Sequence, residues 1–367
     1  MSLFQSFFKV FKVAADPIYL YFRLIDKDTS SMVNVSVVIP TCNRKSNLLA
    51  LLNNLNNSTS PLYEVIIVDS GEEKLQSADY SLFKNLSIQY ISSEKSVCIQ
   101  RNIGIQKATS PWIFLCDDDI EMPNDYLQKL ISHINLHFDT GAVSGCWLQL
   151  EKNEWKATYP ETSAVELFWK FIFQLSIWGE INCSANNVLI KKIKQYYNRK
   201  GNHISKAGWP VITDFSGEYF TTPVYSLGAA LIKKKWLLDS PFDEVLDRHG
   251  IGDNYGVIMS FPETRIHVLN NTFVYHHQEP VNRLQKPLQY YRRTLALDYF
   301  IKTKDSLKMI KTRWLAWSLT GNLIRSVFSA NRMMIKAAFR SIMVIISGNN
   351  PYYKAARERR KVEEPIL

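Results

Sequence analysis

Trp112-Ile113-Phe114-Leu115-Cys116-Asp117-Asp118-Asp119 joins a run of bulky apolar side chains directly to three acids. The apolar run has the length of a short strand buried on both faces. The acids then fall at its carboxyl end, the edge of an open α/β sheet where ligands bind. Two carboxylates ~4 Å apart repel by about 4 kcal/mol at an effective dielectric near 20. Such a cluster splays into water, takes up a proton or shares a cation. Oxygen-only ligands favour a hard ion such as Mg²⁺ or Mn²⁺. The alternative is a solvated acidic turn ahead of a helix that starts near Pro123, with Asn124 and Asp125 adding to the cap. A calcium EF-loop fits poorly: Met122 stands where glycine is needed, and Gln128 where the bidentate Glu belongs.

Working outward, Val35-Ser36-Val37-Val38-Ile39-Pro40 reads as a buried strand stopped by proline. A polar turn, Thr41-Cys42-Asn43-Arg44, follows, then a leucine-rich helix through Leu48, Leu49, Leu51, Leu52 and Leu55. Residues 64–69 form a second strand ending in Asp69, and residues 88–91 a third. A helix over 99–108 leads into the Trp112 strand, a helix over 123–137 leaves it, and 142–148 form a further strand. Near-continuous apolar strands alternating with helices predict an α/β fold, a doubly wound, mostly parallel sheet with flanking helices. Thr41 to Arg44, Asp69 and Asp117 to Asp119 all lie just past strand ends, so they converge on one crevice.

The remainder is less regular. Residues 150–223 alternate aromatic and polar stretches, and Phe168, Trp169, Phe171, Phe173 and Trp178 read as helical core. Residues 225–232 are strand-like, 233–238 a short helix, and 265–276 one or two strands ending in His276-His277. From Lys286 on the chain reads helical. Arg325, Arg332, Lys336 and Arg340 are spaced to share one face, with Ile324, Val327, Phe328, Ile335, Phe339, Ile342 and Ile346 on another. Such a helix lies in a membrane interface, or packs its apolar side on the domain with the basic side solvated. Near the start, Phe4, Phe7, Phe8 and Phe11 recur at helical spacing opposite Lys9 and Lys12, an amphipathic appendage.

The 367 residues are 46% hydrophobic and 21% charged, ordinary globular composition. Five cysteines without a CxxC pair argue for a reducing compartment and against a disulfide framework or zinc ribbon. The net charge is +10, yet residues 286–367 hold 17 Lys/Arg against 5 Asp/Glu, so the basic excess belongs to the C-terminal segment. That asymmetry suits an anionic surface, and without a nucleic-acid recognition module the expected surface is a membrane rather than nucleic acid. No secretory leader and no run of ~20 apolar residues is read. The expected location is cytoplasmic, peripheral on the cytoplasmic face of a membrane.

In order, Val37-Val38-Ile39-Pro40-Thr41-Cys42-Asn43-Arg44, Val65-Ile66-Ile67-Val68-Asp69-Ser70-Gly71, Gln100-Arg101-Asn102-Ile103-Gly104-Ile105 and the acids Asp117-Asp118-Asp119 resemble a family-2 glycosyltransferase of the GT-A fold. Leu227-Gly228-Ala229-Ala230-Leu231-Ile232, Phe242-Asp243-Glu244 and Gly252-Asp253 match its acceptor half more loosely. The resemblance implies a GT-A-like sheet divided into a nucleotide-sugar half (33–148) and an acceptor half (149–285). The appendage (1–32) precedes them, and basic amphipathic C-terminal helices (286–367) follow. It implies inverting transfer of a sugar from a UDP- or dTDP-sugar to a glycan or lipid-linked acceptor, assisted by Mg²⁺ or Mn²⁺. Thr41, Asn43, Arg44, Asp69, Arg101, Asp117 and Asp118 would bind the nucleotide-sugar, with Asp69 on the base and Asp117 on the ribose. Asp119, Asp117 and His276 would be the metal ligands, with His277 an alternative to His276. Asp253 would be the general base, although the Glu of the family's usual Glu-Asp pair is replaced by Gly252; Asp243 and Asp247 are the fallbacks. Arg292 and Arg293 resemble a basic pair on the helix after the catalytic region. A metal-dependent nucleotidyltransferase is the alternative, weakened by a first turn (Pro40 to Arg44) that lacks a glycine-rich phosphate loop. A non-catalytic nucleotide-binding protein on the same fold is a third reading.

Overall fold

Apolar runs long enough for strands but too short for helices dominate the first half of the chain, and they assemble into one sheet. A computed structural model describes residues 33–278, 284–362 and 364–367. The amphipathic appendage expected over 1–32 lies outside the described residues. In chain order the strands are β1 (Val35–Thr41), β2 (Glu64–Asp69), β3 (Ile88–Ser92), β4 (Trp112–Cys116), β5 (Ile120–Glu121), β6 (Ala142–Glu151), β7 (Glu154–Lys156), β8 (Ile177–Trp178), β9 (His203–Ile204), β10 (Pro210–Ile212), β11 (Tyr219–Thr222), β12 (Ala229–Lys233) and β13 (Ile266–His276).

The main sheet runs β11-β13-β6-β12-β4-β1-β2-β3, with β5 on β13 and β7 on β6. β1 pairs in parallel with both β2 and β4, and β2 with β3. β12 inserts antiparallel between β4 and β6, while β6 and β13 are parallel. The sheet is therefore mostly parallel with helices packed against it, as the alternating pattern implied. Val37, Val38, Ile39, Val65 to Val68 and Ile113 to Leu115 are buried, which explains why these strands show no polar alternation. The helix Val97–Lys107 crosses β1 closely at Gly104, where an added Cβ would stand 2.3 Å from Val38 Cγ1.

Several expectations are corrected. Residues 150–223 form the helices Ala164–Phe173 and Val188–Lys200 beside a small sheet ordered β8-β10-β9. Trp178 belongs to β8 rather than to a helix. Leu167, Ile177, Ile190, Ile193, Tyr197 and Val211 make a satellite core there. The strand expected from 225 begins at Ala229, and 266–276 is a single strand with a register shift between Leu269 and Phe273.

The C-terminal helices are Lys286–Thr303, Thr312–Phe328, Arg332–Ile346 and Pro351–Glu358. The continuous basic face does not exist. The helix breaks after Phe328, and Ala330 takes a left-handed φ of 50°, so Arg325 lies on a different helix from Arg332, Lys336 and Arg340. Helix 332–346 buries its small residues, Ala337, Ala338 and Ser341, with Ile345; Phe339 and Ile346, expected on a packed or membrane face, are exposed. Residues 35–367 form one compact unit. Leu295, Ala296, Leu315, Leu319, Ala337 and Tyr352 share a hydrophobic cluster with the sheet residues Val38, Ile66 and Leu115.

Candidate active site

The crevice is built by loops that leave the carboxyl ends of β1, β2 and β4. Parallel pairing puts Thr41 opposite Asp69. The side chain of Gln100 stitches these strand ends together, donating through Nε2 to the carbonyls of Thr41 and Val68, both at 2.7 Å. Asp69 accepts from the Gly71 N–H at 2.6 Å and from the Tyr90 hydroxyl. Asn43 holds the same loop from the other side, its Oδ1 accepting from the Glu72 N–H at 2.7 Å. The expected base pocket is thus a pair of cross-braced loops, and Tyr90 and Gln100 are braces the sequence did not flag.

The three acids have three different environments. Asp118 turns inward, accepting from Thr41 Oγ1 at 2.7 Å and from Arg44 at 2.8 Å. Burial pushes its carboxyl up to about 6 against the opposing pull of Arg44. Asp117 is the more exposed acid, paired with Arg101 at 2.6 Å. Its N–H donates to the Gly228 carbonyl at 2.8 Å. Asp119 meets Arg44 at 3.2 Å on one oxygen and His276 Nε2 at 3.3 Å on the other. His276 arrives from the end of β13, whose residue His276 pairs with Ile120. His277 faces away, with Nε2 2.9 Å from Glu121 Oε2.

Asp253 opens the short helix Asp253–Ile258 and is buried. Its Oδ1 accepts from the Asn254 N–H at 2.7 Å and its Oδ2 is bound by Arg101. Arg101 therefore bridges Asp117 and Asp253. Burial opposes the charge of its guanidinium, but the two carboxylates outweigh that and raise its pKa. Burial also pushes Asp253 up to about 6, with Arg101 pulling the other way. Neither fallback acid lines the crevice. Asp243 is held by Tyr299 at 2.9 Å and Lys304 at 2.7 Å, and Asp247 by Tyr352 at 2.9 Å and Arg292 at 3.1 Å.

Two cavities meet here. One, of about 520 Å³, is lined by Thr41, Arg44, Arg101, Asp118 and Asp119. The other, of about 570 Å³, has walls of Trp147, Trp178, Trp209 and Tyr225. Asp117, Gly252, Asp253, Asn254, His276 and Arg293 line both. Thr41, Arg44, Arg101, Asp117, Asp118, Asp119, Asp253, His276 and Arg293 reach one or both of these cavities; Asn43 and Asp69 brace its loop instead, and His277, Asp243, Asp247 and Arg292 lie outside it. The aromatic wall was missed: Trp178 and Trp209 come from β8 and the turn before β10, where short strands leave no periodic signal, and Trp147 lies on β6, which reads as a strand without marking a site.

A divalent ion fits part of the expected ligand set. Asp119 Oδ1 and His276 Nε2 stand 3.3 Å apart, the separation of two adjacent ligands each about 2.1 Å from one ion. A carboxylate with an imidazole suits a borderline ion such as Mn²⁺. Asp117 does not join them, being drawn to Arg101. Among the described residues the one trio of potential donors that gathers within ligand range is Asp247, His249 and Glu364. Arg292 ties Asp247 to Glu364, which makes that trio an ion-pair network.

Residues 36–206 match the sequence model of the family described as "Glycosyl transferase family 2". "Uncharacterized glycosyltransferase YwdF" of Bacillus subtilis (strain 168) is 32% identical over 118 residues, 30% of this chain and 44% of that one. An "Uncharacterized glycosyltransferase" of Haemophilus influenzae is 31% identical over 108 residues, 28% of this chain and 37% of that one. The chain thus spans less than half the length of these curated relatives. Among solved structures, S. aureus TarS 1–349 in complex with UDP-GlcNAc superposes with a TM-score of 0.48 at 13% identity, covering 91% of this chain and 94% of that one.

Proposed function

We propose that the chain, whose residues 36–206 match glycosyl transferase family 2, transfers a sugar from a nucleoside diphosphate donor to a glycan or lipid-linked acceptor. The observation that carries this reading is the meeting of two cavities at Asp253 and His276. The acid-lined cavity receives the donor. Asp69, tied to Gly71 and Tyr90, braces the loop at the base end of the pocket rather than reaching into it, and Asp117 contacts the ribose of a uridine or thymidine diphosphate. Asp118 acts from beneath, fixing Thr41 and Arg44 in the pocket. The aromatic cavity receives the acceptor, since flat aromatic faces suit the apolar faces of sugar rings.

Asp253 is the general base. In the displacement the acceptor oxygen forms its bond to the donor's anomeric carbon as the bond to the diphosphate oxygen breaks. The acceptor's proton passes to a carboxylate oxygen of Asp253, and the electron pair leaves with the diphosphate. Attack from the side opposite the leaving group inverts the anomeric centre. Asp119 and His276 would hold Mn²⁺ or Mg²⁺, which supplies Lewis-acid stabilisation of the diphosphate, worth several kcal/mol in such sites. Arg101 positions Asp253 and Asp117 relative to each other.

The reading extends to an anionic membrane surface. No helix among the described residues is long and apolar enough to cross a membrane. Phe328, Phe339, Met343 and Ile346 are exposed beside Arg332, Lys336 and Arg340, an arrangement matched to an interface that carries acidic headgroups. A lipid-linked acceptor would be found there.

Donor binding is tested by thermal unfolding with UDP, dTDP and GDP, each with and without Mn²⁺. A ligand at 100 times its dissociation constant stabilises by about 2.7 kcal/mol. The expected result is Mn²⁺-dependent stabilisation by UDP or dTDP that Asp119→Asn loses. Pyrophosphate as the product in place of the nucleoside diphosphate would favour the nucleotidyltransferase reading.

A further inference from the structure

The helix Lys286–Thr303 carries one stripe of side chains past both cavities. Lys286 and Gln289 line the acid-lined cavity, Arg293 lines both, and Leu297 and Phe300 line the aromatic one. Residues three and four apart share a helix face, so Arg293 marks the point where one cavity gives way to the other. Its neighbours in sequence are built in: Thr294 is fully buried, and Arg292 is clamped by Asp247 and Glu364. Arg293 points the other way. Its side chain is exposed within the cavity, and it has no ion-pair or hydrogen-bond partner among the described residues. The surrounding protein lowers the pKa of its guanidinium, and no carboxylate offsets that burial. Arg101, two carboxylates against it, shows the contrasting case.

A guanidinium that faces a cavity without an ion-pair partner is open to an anion, and its planar fork binds phosphate or carboxylate in two-pronged fashion. The donor side is lined by further cations, Lys95 and Lys286, besides Arg44 and Arg248, which are paired with acids. On the aromatic side the one other Lys or Arg of the lining, Lys156, is held by Glu154 at 3.0 Å. We propose that Arg293 recognises a negatively charged group on the acceptor, so that the acceptor is a phosphate- or carboxylate-bearing saccharide. This rests on the reading of the crevice as a glycosyl-transfer site. The aromatic walls take the ring, Arg293 takes the anion, and Asp253 takes the proton of the attacking hydroxyl.

The test uses the full chain with Mn²⁺, titrated with glucose, glucose 6-phosphate and glucuronate, with and without saturating UDP. Calorimetry reads the affinities. Hydrogen bonds to charged groups lead to an expected gain of roughly tenfold or more for the anionic sugars over glucose. Arg293→Gln abolishes that preference, Arg293→Lys keeps part of it, and UDP affinity is unchanged in both. Equal affinity for glucose and glucose 6-phosphate overturns the proposal. So does a loss of UDP affinity in Arg293→Gln that matches its loss for the sugar phosphate, which would place the arginine on the donor's diphosphate. Failure of UDP to bind the wild type would instead count against the transferase reading, and the UDP-free titrations would still report whether Arg293 selects an anion.

Discussion

Gly228 shows how little freedom the acids have. A Cβ at this position would lie 2.1 Å from Asp117 Oδ2, so Asp117 keeps its place only because residue 228 has no side chain. Gly228→Ala should destabilise by about 1–3 kcal/mol, the usual range for overpacking, and weaken UDP binding. Chemical denaturation and calorimetry check both, and an unchanged UDP affinity would remove Asp117 from the donor site. Gly252 explains the missing acid before Asp253. It adopts a φ of 96°, a conformation that costs a residue with a side chain roughly 1–2 kcal/mol, so the turn that presents Asp253 excludes a glutamate there. The base itself should be visible in a pH profile. With Asp253 pushed up to about 6, the rate of transfer rises with pH through that value and levels off above it. Asp118 titrates in the same range, but it acts under the donor, so UDP binding measured over the same pH range separates the two. A transfer rate that is flat from pH 5 to 8 would exclude Asp253 as base.

Elements differ in how plainly the sequence announces them. β1, β2 and β4 were legible because burial on both faces leaves unbroken apolar runs, and the polar residues at their ends located the crevice. The helix Tyr126–Leu136 was legible from its period but not from its contacts. His133 packs on His267 of β13, Nε2 to Nδ1 at 2.9 Å, with His137, Thr140 and Tyr219 around them. No spacing rule links residues on a helix to one 130 positions away on a strand. Burial and the neighbouring histidines depress His133 to about 4, and burial and His137 lower His267, while Asp139 opposes both shifts. His133 therefore contributes stability that is present above about pH 6.5 and lost as the pH falls toward 4, and the lowered His267 acts in the same direction. The melting temperature of wild type should drop faster between pH 7 and 5 than that of His133→Gln; parallel curves would show that the cluster carries no such linkage. The region 150–223 was illegible for a different reason. Its strands are two to four residues long, too short for a period to reveal, so the walls that Trp178 and Trp209 give the aromatic cavity had no signature.

At the scale of the molecule, charge and topology tell separate stories. The basic excess was located in the C-terminal segment, but its arrangement could not be read, because the break at Ala330 divides one expected face between two helices. Composition also could not show that the helix Lys286–Thr303 enters the shared core, where Arg292 is spent on Asp247 and Glu364 while Arg293 faces the cavities. The exposed apolar and basic side chains of residues 328–346 lead to a prediction about association. The protein should cosediment with vesicles containing about 30% phosphatidylserine and not with pure phosphatidylcholine, in a salt-dependent manner. Phe339→Ser with Met343→Ser should abolish it; equal binding to neutral vesicles would contradict an electrostatic contribution.

The central claim is that Asp119 and Asp253 serve one reaction at the meeting of two cavities. It is tested most directly by incubating wild type, Asp119→Asn and Asp253→Asn with UDP-sugars, Mn²⁺ and glucose 6-phosphate as acceptor, and measuring UDP together with the glycosylated product. The account predicts stoichiometric UDP and product from wild type. Transfer in both variants should fall by two or more orders of magnitude, roughly the share of a general base. Asp253→Asn should still bind UDP with Mn²⁺, and Asp119→Asn should not. Transfer at the wild-type rate by either variant would contradict it.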